Sequence, residues 1–140
     1  YKCTLQTDTE VITYIIDYLV RRRGLTLEET ARVLAASFWS TIADKGEEAK
    51  EQETLLRRMF PSLLVTGPFS IILGYTGGLM ALGDRLKLRS MVCAEKGDKA
   101  YISSEESAIR KIEPNLDRVW SPAGGEAVVF ELYGKGGLAR

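Results

Sequence analysis

The sequence has no histidine, two cysteines and four prolines in 140 residues, and no excess charge of either sign, with 19 Lys+Arg against 19 Asp+Glu. Each shortage removes a class of function. Histidine is the side chain whose ordinary pKa lies in the physiological range, so Ser-His-Asp and Cys-His chemistry within the chain is excluded. Two isolated cysteines without histidine do not make a structural zinc ligand set, and no metal site is expected. Cys3 and Cys93 also lack the dense spacing of a secreted disulfide framework, which points to reduced thiols and a cytoplasmic location. Residues 1–65 carry 9 basic and 10 acidic side chains and residues 66–140 carry 10 and 9, so neither half has the basic excess of a nucleic-acid-binding surface. No apolar run approaches the roughly 18 residues that would cross a bilayer, and no signal peptide is visible. The chain opens Tyr1-Lys2-Cys3-Thr4 without methionine, as a sequence does that starts inside something larger.

What is present is 45% hydrophobic and 27% charged residues, a balance that suits one soluble globular domain. A domain of this size removes roughly two thirds of its unfolded surface from water, so folding needs no staple. The texture changes midway. From Thr9 to about Phe60 the chain is glycine-poor, charge-rich and helically periodic, and from Gly67 onward glycines punctuate short β-branched and aromatic runs. This order predicts an α+β domain, helical over about 9–60 and strand-rich, mostly antiparallel, over about 67–133.

Thr7-Asp8-Thr9-Glu10 has the capping-box spacing that starts a helix. Its core face would be Val11, Ile12, Ile15, Ile16, Leu19 and Val20, with the basic run Arg21 to Arg23 at its negative dipole end and Gly24 as a left-handed cap. Thr26-Leu27-Glu28-Glu29 repeats the capping box and starts a second helix carrying Leu27, Ala31, Leu34 and Ala35. Ala43 to Lys50 reads as a solvated turn. Glu53 to Phe60 then offers Leu55, Leu56, Met59 and Phe60 before Pro61 stops it.

In the second half, Phe69 to Tyr75 and Leu79 to Leu82 flank Thr76-Gly77-Gly78 as a tight hairpin. Met91 to Glu95 and Lys99 to Ser103 form another around Lys96-Gly97-Asp98. Ser103-Ser104-Glu105-Glu106 begins a helix leading to Ile109 and Ile112, and Ala127 to Leu132 is a strand after the Pro122, Gly124, Gly125 loop. Gly74 to Gly78 and Gly134-Lys135-Gly136-Gly137 follow neither P-loop nor dinucleotide spacing and read as turn and tail. Glu47, Glu48, Glu51 and Glu53 are interleaved with Lys45 and Lys50 and read as a solvated face. Trp39 and Trp120 read as core or interface anchors.

Certain segments resemble a known family. Gln6-Thr7-Asp8-Thr9-Glu10-Val11-Ile12 resembles the run that follows the glutamine pocket in class II glutamine amidotransferases, the N-terminal-nucleophile group. Gly67 to Ile72, Leu82-Gly83-Asp84-Arg85-Leu86-Lys87-Leu88-Arg89 and Tyr101 to Ile109 follow in that family's order. The stretch between Gly24 and Gly67, with Leu25 to Glu28 and Ser37-Phe38-Trp39, looks most like the amidotransferase portion of glutamate synthases. The resemblance covers about Thr4 to Leu132. It departs where Lys87 and Ser90 stand in place of the family's Gly and Pro.

The resemblance implies the C-terminal portion of a four-layer αββα sandwich and a glutaminase that supplies ammonia from glutamine, for glutamate synthesis from 2-oxoglutarate. Asp8 matches the family's aspartate that holds the substrate's α-ammonium group. The nucleophilic cysteine would lie upstream of Tyr1, so the isolated chain would have no catalytic residue and would be inactive. Cys3 is two residues too late to pair its thiol with a terminal amine, and Cys3 and Cys93 read as small apolar strand residues. FMN, iron–sulfur centres and NAD(P)H would belong to partner domains, with no cofactor in this chain. Implied partners are glutamine, the missing N-terminal part of the domain and a synthase domain or subunit, in an oligomer. An incomplete sheet would leave an edge or face exposed. Two alternatives stay open: an amidotransferase serving another acceptor, of the glucosamine-phosphate synthase or phosphoribosyl amidotransferase type, and a non-catalytic module that keeps the fold.

Overall fold

In the computed structural model, residues 1–133 and 137–139 are described, and the glycine-rich tail at Gly134 to Gly136 falls outside them. Four helices come first: α1 (Asp8–Asp17), α2 (Leu27–Leu34), α3 (Trp39–Ala43) and α4 (Glu47–Met59). α1 continues into a π-helical turn at Tyr18–Arg22, where the Arg23 N–H reaches back to the Tyr18 carbonyl at 3.1 Å. Gly24 then ends the helix at φ +72°, the left-handed conformation that glycine adopts without steric cost. α2 opens with a complete capping box. The Thr26 hydroxyl accepts from the Glu29 N–H at 3.1 Å and the Glu29 carboxylate accepts from the Thr26 N–H at 2.9 Å.

Several helical details differ from the sequence expectation. Val11 is 45% exposed, because it sits about 100° around the helix from Ile12 and off the stripe that packs inward. The polar segment 43–50 holds the end of α3 and the first turn of α4, where Glu47 and Glu48 complement the positive end of the helix dipole. On α4, Leu56 is buried, and Phe60 just after it, whereas Leu55 and Met59 face outward. Glu53 is not solvated: it is buried and paired with Lys45.

The strands are β1 (Ser70–Tyr75), β2 (Gly78–Gly83), β3 (Val92–Lys96), β4 (Lys99–Ser103), β5 (Arg118–Trp120), β6 (Ala127–Tyr133) and β7 (Gly137–Ala139), with helix α5 (Glu106–Ile112) between β4 and β5. They form two antiparallel sheets, ordered β1-β2-β6-β7 and β4-β3-β5. Both expected hairpins are present. Gly78 is required by packing, since a Cβ there would lie 1.9 Å from the Phe130 carbonyl oxygen.

β2 is the central element. Met80, Ala81 and Leu82 are all fully buried, so its apolar run does not alternate with polar residues: both faces are covered. Leu82 joins Ile12, Ile16, Ala31 and Leu34 in a cluster between the first sheet and the helices. Ala81 and Phe130 join Met91 and Cys93 in a cluster between the two sheets. A third cluster, Leu19, Val33, Leu56 and Phe60, joins the helices to one another. The protein is thus α+β, with a helical layer on one side of a four-stranded sheet and a three-stranded sheet on the other. Fully burying a leucine such as Leu82 contributes about 1.5–3 kcal/mol, and three such clusters tie the layers together.

Candidate functional site

The site indicated by sequence lies at the start of α1. Thr7 is its N-cap, in extended conformation, and the Thr7 hydroxyl accepts from the Glu10 N–H at 3.2 Å. The reciprocal half of the expected capping box is absent. Glu10 turns away and accepts hydrogen bonds from the Thr4 N–H at 2.8 Å, the Leu5 N–H at 2.8 Å, the Thr4 hydroxyl at 3.0 Å and the Tyr14 hydroxyl at 3.1 Å. These bonds, led by the Thr4 N–H, hold its carboxyl below the usual glutamate range. Glu10 therefore fastens residues 4 and 5 onto α1. Between this fastening and the cap, Gln6 adopts φ +53°, an uncommon conformation for a residue with a Cβ.

Asp8 is the first residue of α1 and is exposed. Its Oδ1 accepts from the Thr9 N–H at 2.7 Å and the Thr9 hydroxyl at 3.3 Å. None of the ion pairs among the described residues uses Asp8. A carboxylate at the positive end of a helix is stabilised as the anion, and one with a free oxygen can bind an ammonium group through a charge-assisted hydrogen bond.

The second matched segment follows β2. Asp84 is buried and accepts from the Leu86 N–H at 3.0 Å and the Leu88 N–H at 3.1 Å, while its own carbonyl accepts from the Lys87 N–H at 3.0 Å. Burial pushes the Asp84 carboxyl up, but the N–H groups of Leu88 and Leu86 outweigh it, leaving the group below the usual aspartate range. The loop they shape places Lys87 at φ +56°. Leu82, two residues before Asp84, packs in one cluster with Ile12 and Ile16 of α1. In the third segment, β4 leads into α5, and the Ser103 hydroxyl accepts from the Glu105 N–H at 3.3 Å.

Cys93 is buried in β3, as expected, and burial raises its thiol to about 11. Cys3 is exposed and outside any strand, contrary to expectation, since Glu10 draws the backbone at residues 4 and 5 against the helix and away from a sheet. Trp120 packs in the cluster between the sheets. Trp39 is exposed beneath the Arg57 guanidinium, 4.2 Å from its ring centroid, and Phe38 lies 4.4 Å from Arg85. Arg57 also donates to the Ser37 carbonyl. No group of three or more His, Cys, Asp or Glu suited to a metal ion occurs among the described residues, and no helix among them is long and apolar enough to cross a membrane. Sequence reasoning missed the fastening role of Glu10, which its capping-box position obscured, and the contacts of Arg57 with Trp39 and of Arg85 with Phe38, whose partners lie far apart in the chain.

Comparison with known proteins gives one relative. The chain is 43% identical over 132 residues to an uncharacterized protein of Archaeoglobus fulgidus. The match takes in 94% of this chain and 35% of the relative, so the chain spans about a third of the relative's length. No family model matches the chain, and no solved structure matches it.

Proposed function

We propose that this chain is the C-terminal portion of a class II glutamine amidotransferase domain, in which Asp8 holds the α-ammonium group of glutamine. The observation that carries the reading is the exposed carboxylate of Asp8 at the first turn of α1, in no ion pair among the described residues, within the run that resembles the family. The backbone at Lys87 adds independent support. This position matches a glycine of the family, and its φ of +56° lies in the region where glycine is favoured. The layering of helices and two antiparallel sheets agrees with three layers of an αββα sandwich, and α5 is our assignment for the fourth.

In the whole protein the thiolate of an upstream N-terminal cysteine attacks the glutamine carboxamide, with the terminal amine as base, so that histidine is not needed. Ammonia leaves, and water releases glutamate from the thioester. We assign the ammonia to glutamate synthesis on a synthase domain or subunit, where the flavin, iron–sulfur and nicotinamide chemistry resides. This chain's part is to orient the substrate.

The test is steady-state glutaminase kinetics on the complete protein with Asp8→Asn and Asp8→Ala. A hydrogen bond between charged groups is worth about 1.5–3 kcal/mol, so KM for glutamine should rise about 10-fold to 100-fold with a smaller change in kcat. Both variants should also lose preference for glutamine over its analogue without the α-amino group. An unchanged KM and an unchanged preference in both would overturn the assignment.

A further inference from the structure

The second sheet leaves part of the first sheet's face uncovered at β1. The first sheet has four strands and the second three, and β1 and β4 are the end strands of their respective sheets. Ile71 and Leu73 pack toward the helices, so Ile72 points to the opposite face, the one turned toward the second sheet. Its register partner Ala81 is fully buried beneath that sheet, yet Ile72 is 55% exposed. The second sheet stops short of covering it. A groove of about 450 Å³ occupies the gap, lined by Ile72 and Ser70 of β1, Ile102 and Ser103 of β4, Met91 and Arg89.

The edges bordering this groove lack the usual protection. Natural edge strands are blunted by charges, proline or bulges, whereas β1 reads Ser-Ile-Ile-Leu-Gly-Tyr, without charge or proline. β4 carries its one charged residue, Lys99, at the hairpin end, away from the Ile102 and Ser103 that line the groove. Arg89 at the rim has no ion-pair partner among the described residues. The features together describe a place for one more strand: β4 as an end strand among the described residues, an apolar floor at Ile72 and a cation at one end.

We propose that the groove receives a β-strand from polypeptide outside these 140 residues, paired with β4 and laid over Ile72. Its inward side chains are apolar, and an acidic residue beside them meets Arg89. The length of the relative supplies the source: about two thirds of the Archaeoglobus fulgidus protein lies outside the part that this chain spans. The inference stands on strand geometry and charge, and holds whether or not Asp8 binds glutamine.

The test is amide hydrogen exchange on the full-length Archaeoglobus fulgidus relative and on this chain alone, followed across the segments corresponding to β1 and β4. In the relative, the β4 amides not bonded to β3 should exchange at least 100-fold more slowly than they do in this chain. Replacing the relative's residue at the position of Ile72 by aspartate should lower its melting temperature by several degrees, whereas Ile72→Asp in this chain should change it little. Rapid exchange of the β4 edge in the full-length relative would overturn the proposal. So would protection in this chain alone that grows with its concentration, since a second copy would then be the occupant.

Discussion

Lys87→Gly should stabilise the protein. Lys87 follows the turn closed by its N–H on the Asp84 carbonyl, and its φ of +56° places a Cβ-bearing residue in the left-handed region. That conformation costs an ordinary residue about 1–2 kcal/mol. Glycine removes the clash but has more freedom to lose on folding, about 0.5–1 kcal/mol. The lysine ammonium gives up only a long, exposed hydrogen bond of 3.4 Å to the Ser121 carbonyl, which contributes little. The balance is a gain of about 0.5–1 kcal/mol, or roughly 1–4 °C in Tm for a domain of this size. Lys87→Ala is the control, because it removes the same charge and hydrogen bond while keeping the Cβ. Thermal and urea unfolding followed by circular dichroism would read both. If Lys87→Ala stabilises as much as Lys87→Gly, or if Lys87→Gly fails to stabilise, the backbone at this position is not the source of strain.

Other consequences can be checked on the same protein. Asp84→Ala removes the acceptor for the Leu86 and Leu88 N–H groups and should cost about 1–3 kcal/mol in urea unfolding. Because the folded Asp84 carboxyl lies below its ordinary range, its contribution is present above that range and is lost as pH falls through the folded value; Asp84→Asn should flatten that part of the acid profile. Glu10 has the same sign, so acidification through its folded value should release the Thr4 and Leu5 amides to hydrogen exchange, and Glu10→Gln should weaken their protection at neutral pH. Iodoacetamide at pH 8 should modify Cys3 alone, as read by mass spectrometry, because Cys93 is buried and its thiol is raised to about 11.

Local signals carried most of the element order. Both hairpins, the Thr26 capping box, the Gly24 cap and β6 follow from spacing within a few residues, where turn chemistry and periodicity act. The failures are of another kind. β5 is three residues long and is a strand only because it pairs with β3, so nothing local marks Arg118–Trp120. Residues 43–50, at the end of α3 and the start of α4, read as a turn because they are polar and the buried residues of α4, Glu53 and Leu56, lie beyond them. Asp8 is a candidate through the family resemblance alone, and the groove beside β4 was not legible in the sequence, since it depends on where two sheets end relative to one another.

The start of α1 shows how two acidic residues in one helical turn come to have different duties. Glu10 receives four donors: two backbone N–H groups and two hydroxyls. Most of the acceptor capacity of that carboxylate is therefore used within the chain. Asp8, two residues earlier, receives both of its donors from Thr9, and both on Oδ1. Oδ2 accepts no side-chain hydrogen bond from the described residues that would occupy it at the positive end of the helix. The same chain segment that Glu10 secures, residues 4 and 5, is what requires Gln6 to turn through φ +53° before the Thr7 cap. Strained backbone of this kind persists only where the surroundings over-determine it, and here the fastening on one side and the cap on the other do so. The capping-box pattern thus conceals a division of labour in which Thr7 caps the helix, Glu10 fastens residues 4 and 5 onto it, and Asp8 stays exposed in the first turn.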